Sequence, residues 1–134
     1  MTEGRAFAIE SAPAGPFVTV LTLSGSVANG AQDKLRAQLE APELSSQRVV
    51  VDLTEATLYD SWPLVVLADE TRRLERAGGE LVLVSGDNAT VDPFVDEAAL
   101  PGLRWFRSLN DALVDVLGEV VERAGWETAL PAEH

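Results

Sequence analysis

Two short apolar runs constrain this chain more than any other feature. RVVVDL (Arg48 to Leu53) and ELVLVSG (Glu80 to Gly86) are continuous, not alternating. A strand with one wet face alternates apolar and polar side chains, because successive residues point to opposite faces. A continuous run suits a strand covered on both faces, as in a parallel sheet. Between the two runs the spacing changes. From Pro63, the residues Leu64, Leu67, Ala68, Thr71 and Leu74 recur at helical intervals. Asp69, Glu70, Arg72, Arg73, Glu75 and Arg76 fall mostly elsewhere on that helix, and Gly78-Gly79 stops it.

The flanking sequence extends the pattern. AFAIE (Ala6 to Glu10) alternates weakly and suits a short edge strand, with SAPAGP as a break behind it. FVTVLTLSG (Phe17 to Gly25) is rich in β-branched residues and reads as a strand ended by Gly25. Ala31, Leu35 and Leu39 mark a helix that Pro42 and Ser45-Ser46 end. Thr54 to Asp60 reads as a connector. Thr90 to Leu100 suits a short helix with Pro93 in its first turn, and Pro101-Gly102 a turn. LRWFR (Leu103 to Arg107) suits a last strand. Ser108, with Asp111 three residues on, starts a helix whose face is Leu113, Val116, Leu117, Val120 and Val121. Strands alternating with helices imply an α/β fold with a largely parallel sheet, the first two strands being free to pair antiparallel. Residues 1–124 are expected to form one domain, with a mobile tail from Gly125 to His134.

Charge and composition then exclude whole classes of function. The 134 residues carry a net charge of -12, a field that repels nucleic-acid phosphates and anionic membranes and favours a basic protein partner. There is no cysteine, so no disulfide framework, thiolate metal site or cysteine nucleophile exists. No apolar run approaches the ~18 residues of a membrane span. The expected setting is the cytoplasm, without membrane insertion.

Catalytic chemistry finds little support. The one histidine is His134, the last residue, a poor candidate for an ordered triad. With no cysteine and no histidine pair, no metal site is expected. Gly78-Gly79 and Ser85-Gly86 fit neither dinucleotide nor Walker loops. Trp105 reads as core and Trp126 as an anchor for the tail. No cofactor and no enzymatic activity are expected.

One junction stands out. In YDSWPL, Asp60 and Ser61 precede Trp62, Pro63 and Leu64 where the central helix begins. Asp and Ser are favoured helix caps, and proline is common at a first helical position. The pair is then structural. The same physics permits a second reading. A serine hydroxyl at a helix N-terminus lies near first-turn N–H groups and the positive end of the helix dipole, where a phosphate is tolerated. Phosphorylation there adds charge and bulk and expels a partner by local repulsion.

The residues of this region also carry a family resemblance. VVVDLTEATLYDSWPLVVLADETRRLERAGGELVLVSGDN resembles the STAS domain of the anti-sigma-factor antagonists. That family shows an apolar strand ending Asp-Leu, then Asp-Ser-Ser-Gly-Leu, a helix ending in glycine and another apolar strand. Asp52-Leu53, Asp60-Ser61, Leu64, Arg76-Ala77-Gly78-Gly79 and Leu81-Val82-Leu83-Val84 match in order. The turns at Gly25 and Pro101-Gly102-Leu103 and the helix start Ser108 to Leu113 are also similar. The resemblance implies a mixed, mostly parallel sheet with helices mainly on one side. It implies partner switching: the unphosphorylated antagonist binds an anti-sigma factor, often an ATP-dependent serine kinase. That kinase phosphorylates the antagonist, and a phosphatase restores it. Ser61 matches the family's phosphorylated serine. Asp60, Ser61, Trp62, Pro63 and Leu64 form the expected partner-binding segment, within a face spanning Tyr59 to Leu67 and the turn Ser24 to Gly30. The chain departs from the family at Trp62 (a second serine there), at Pro63 (a glycine there) and at Gly25-Ser26-Val27-Ala28, where the family often has a carboxylate. The alternative is a constitutive interaction module in which Ser61 is only a cap.

Overall fold

The computed structural model describes residues 6–15, 17–27, 31–41, 47–97 and 103–124, without side chains at 95–97 and 119–124. The elements follow in the order β1 (Ala8–Gly15), β2 (Val18–Val27), α1 (Ala31–Leu39), β3 (Arg48–Leu58), α2 (Trp62–Arg76), β4 (Glu80–Val84), α3 (Asp92–Glu97), β5 (Trp105–Phe106) and α4 (Leu109–Ala124). The sheet runs β1-β2-β3-β4-β5. β1 pairs antiparallel with β2, and every later pair is parallel.

The continuous apolar runs are explained by two separate cores. Leu21, Leu23, Val49, Val51, Leu53, Leu81 and Leu83 face α1 and α2, whose Leu35, Leu39, Leu64, Leu67 and Leu74 pack on them. Phe94 of α3 joins the same side. The intervening Val18, Val20, Val50, Val82 and Val84 point the other way, against Ala112 and Val116 of α4. Three helices thus cover one face and α4 the other, so β3 and β4 have no wet side over their paired length.

Helix ends are set by local chemistry. Ser108 Oγ accepts the Asp111 N–H at 3.1 Å, the cap expected for α4. Ala112 is fully buried in α4, beside the expected Val116, while Leu113 and Leu117 are half-buried. α2 ends when the Gly79 N–H bonds the Leu74 carbonyl at 2.8 Å and the Gly78 N–H bonds that of Glu75 at 3.1 Å. This Schellman arrangement needs the positive φ of 90° that Gly78 supplies.

Several boundaries differ from the expectation. β1 does not stop at Glu10 but runs through Pro13 to Gly15, with a register shift at Pro13/Gly15. An edge strand tolerates proline because one side needs no N–H. β2 does not end at Gly25, which takes a φ of 81° inside it and passes on to Val27. The supposed connector after Leu53 is the second half of β3. A bulge explains it. Thr22 pairs with Asp52 but Ser24 with Glu55, so β3 inserts one extra residue. Asp52 Oδ1 accepts both the Thr54 N–H at 2.9 Å and the Thr54 hydroxyl at 2.6 Å, folding that residue locally. Glu70, read among the outward residues, is buried at 2% exposure. Its spacing from Leu67 and Leu74 puts it on the buried face, and only its charge argued otherwise. Trp105 is half-buried against the first core. Pro42, Ser45-Ser46, Pro101-Gly102, Trp126, His134 and the tail lie outside the described residues, as do the Val120 and Val121 side chains.

Candidate functional site

The junction singled out in the sequence lies at the C-terminal ends of the parallel strands. β3 ends at Leu58, which pairs with Val27 at the end of β2. Tyr59, Asp60 and Ser61 then turn the chain into α2.

Ser61 is the N-cap residue, and its own conformation decides its chemistry. Its backbone is helical, φ -90° and ψ -4°, and its side chain makes no capping hydrogen bond. A typical capping serine is extended, so that its oxygen reaches the second or third amide. Here Asp60 does the work one residue earlier: its Oδ1 accepts the Trp62 N–H at 3.0 Å. That bond also corrects the expected helix start. α2 begins at Trp62, not Pro63, which is buried inside the first turn.

The remaining first-turn donors are accounted for. Pro63 has no N–H. The N–H groups of Leu64 and Val65 both reach the Ser61 carbonyl, at 3.0 and 3.2 Å. The Trp62, Leu64 and Val65 donors at the start of α2 are therefore already used. The Ser61 hydroxyl stands exposed at this end without being part of the cap.

The five candidate residues divide by exposure. Asp60 and Ser61 are exposed, and Trp62 is half-buried, packed against the core of the α1–α2 face. Its indole does not cover Ser61. Pro63 and Leu64 are buried, Leu64 at 2% exposure, so they place the turn without offering surface. The apolar surface comes from Tyr59 and Val65, 64% and 43% exposed. Tyr59 Oη lies 3.2 Å from Ser26 Oγ, linking the ends of β3 and β2. Both apolar residues fall in the expected Tyr59 to Leu67 face. Of the expected turn, Ser24 to Val27 belong to β2, and 28–30 lie outside the described residues.

No group of three or more metal-ligating side chains occurs among the described residues. Nor is any helix among them long and apolar enough to cross a membrane. A shallow cleft between β1 and α1 is lined by Phe7, Ala8, Ile9, Lys34, Ala37 and Gln38, none of them at the Ser61 turn.

Solved structures share this architecture. An anti-sigma factor antagonist from Mycobacterium paratuberculosis is 22% identical over 84% of this chain and 95% of its own, with a TM-score of 0.70. The anti-sigma factor antagonist SpoIIAA in its unphosphorylated form is 16% identical over 83% and 97%, TM-score 0.63. The Bacillus cell fate determinant SpoIIAA in the phosphorylated form is 16% identical over 81% and 99%, TM-score 0.60. No curated protein matches the sequence significantly. The model of the STAS domain family matches residues 11–112, most of the sheet, α1 to α3 and the start of α4. With that match and this fold, the chain belongs to the STAS domain family.

Proposed function

We propose that this STAS chain is an anti-sigma-factor antagonist that works by partner switching. Unphosphorylated at Ser61, it binds an anti-sigma factor that is also an ATP-dependent serine kinase, and so frees a sigma factor. Transfer of the γ-phosphoryl group of ATP to Ser61 Oγ leaves ADP, and the hydroxyl proton passes to a base on the kinase. The phosphorylated chain releases its partner, and a phosphatase reverses the change by hydrolysis. The chain itself is a binding module that works in the cytoplasm.

The observation that carries this reading is the Ser61 hydroxyl, exposed and not engaged in the cap, with exposed Tyr59 and Val65 in the same segment. A kinase needs a free hydroxyl, and a docking protein needs apolar surface beside it. The phosphate acts by charge and bulk. The first-turn amides are already used, so it gains little from them, while Asp60 adds a like charge next to it.

The same used amides favour a second reading, a constitutive module in which no phosphate is ever placed on Ser61. Affinity capture from the native lysate separates the two, with wild type, Ser61→Ala and Ser61→Asp as baits and partners identified by mass. Partner switching requires that wild type and Ser61→Ala retain a serine kinase of the ATPase type and Ser61→Asp lose it. Equal capture by all three baits leaves the constitutive module.

A further inference from the structure

On one side, β3 runs past its neighbour. Its pairing with β4 ends at Asp52 and Val84, while β3 itself continues to Leu58. The ladder with β2 continues to that end, as Val27 with Leu58. On the β4 side, the backbone of residues 53–58 has no strand beside it, and buried backbone polar groups must find other partners.

Two side chains from the connection between β4 and α3 supply them. Asn88 Nδ2 shares its two hydrogens among the carbonyls of Leu53 at 2.8 Å, Thr54 at 3.1 Å and Ala56. The Leu58 N–H donates to Thr90 Oγ1 at 3.2 Å. The two side chains also hold each other. Asn88 Oδ1 accepts the Thr90 N–H at 2.9 Å and lies 2.8 Å from the Thr90 hydroxyl. At the start of α3 the Asn88 backbone carbonyl also accepts the N–H groups of Val91 and Asp92, which leaves the Asn88 Nδ2 group for β3. The reach of both side chains is directed across to β3.

Leu58 is the last residue of β3, and Tyr59-Asp60-Ser61 follow directly. We propose that Asn88 and Thr90 are positioning residues for the Ser61 turn, standing in for the strand that β3 lacks and fixing where α2 begins. Their relevance to recognition rests on the reading that Ser61 is the residue the partner meets. Their action on the turn does not.

Amide hydrogen exchange and ¹H–¹⁵N shifts of the labelled full chain test the proposal. Thr90→Val keeps the side-chain shape and removes the acceptor. The Leu58 amide should exchange about fivefold to tenfold faster, the range one hydrogen bond supports. The amide shifts of Tyr59, Asp60 and Ser61 should move, while Val49 to Val51 keep their protection. Thr90→Ser should restore the wild-type pattern, and Asn88→Ala should act in the same direction as Thr90→Val. Unchanged protection of Leu58, equal acceleration at Val49 to Val51, or no recovery in Thr90→Ser overturns the proposal. Exchange is indifferent to phosphorylation, so its failure leaves partner switching standing. Equal capture by the Ser61 baits, in turn, leaves Asn88 and Thr90 in this role.

Discussion

Glu70 and Arg73 meet at 2.7 Å in the seam between α1 and α2, one turn apart on α2. Arg36 of α1 approaches the other Glu70 oxygen at 3.4 Å, and Arg73 also donates to the Leu39 carbonyl at 2.8 Å. The carboxylate therefore ties the last turn of α1 to the middle of α2. Two opposing effects act on its proton. Burial disfavours the charge and raises the pKa above the ordinary 4.5, and Glu40 pushes the same way. Arg73 pulls it down but does not win.

The sign of the pH dependence follows. A raised carboxyl pKa means that the folded protein prefers the protonated group. Its stabilising share is complete below the ordinary 4.5 and is lost as pH rises through the raised value. Glu70→Gln resembles the protonated form and should lack that loss. Urea unfolding of both proteins across this window should show the variant gaining on wild type as pH rises. A variant that falls behind instead would mean that pairing with Arg73 and Arg36 outweighs desolvation.

The two glycines after α2 serve different purposes, and substitution separates them. Gly78 is needed for its φ of 90°, and alanine there costs about 1 kcal/mol. Gly79 is needed for space: a Cβ on it falls 2.4 Å from the Gln47 carbonyl oxygen. Backbone cannot swing aside as a side chain can, so Gly79→Ala should cost more, roughly 2–4 kcal/mol. Denaturant midpoints rank the two variants, and equal losses contradict the packing argument.

The order of elements was legible because the patterns of Val49 to Leu53, Leu64 to Leu74 and Leu81 to Val84 each belong to one kind of packing. What escaped the pattern was decided between distant segments. Thr54 to Leu58 looked like a connector because a bulge shifts the alternation, and its strand character depends on β2 on one side and on Asn88 and Thr90 on the other. Glu70 looked exposed because charge outweighs position in any count of apolar residues, whereas its buried carboxylate meets Arg73 one turn on and Arg36, 34 residues away on α1. At the site, the sequence pointed to Asp60 and Ser61 as a capping pair but not to which of them caps. That depends on the backbone angles of Ser61.

Ser108 tests whether caps in this chain carry their ordinary value. Its hydroxyl meets the Asp111 amide at the start of α4, which packs Ala112 and Val116 into the second core. Ser108→Ala should lower the unfolding free energy by about 1 kcal/mol, and Ser108→Asp should retain most of it. Ser61→Ala should cost far less, because Ser61 caps nothing. Thermal or urea unfolding of the three proteins gives the comparison. Equal losses at Ser108 and Ser61 contradict the difference in their geometry.

If Ser61 carries a phosphate, Asp60 beside it should govern how that phosphate behaves. Its carboxylate holds the Trp62 amide, Pro63 offers none, and the Leu64 and Val65 amides are bound to the Ser61 carbonyl. A phosphate cradled by free amides has its second ionisation pulled below the ordinary value of about 6, because the donors favour the dianion. Here the Trp62, Leu64 and Val65 donors are occupied and the neighbouring Asp60 is negative. The second pKa of phosphorylated Ser61 should therefore lie above about 6. A ³¹P titration of the phosphorylated chain measures it directly. Asp60→Asn removes the like charge while keeping an oxygen for the Trp62 amide, and should bring the value down. A wild-type value well below 6 would show that the first turn opens on phosphorylation and gives its amides to the phosphate. The switch would then include a change at the start of α2, beyond the repulsion of a partner.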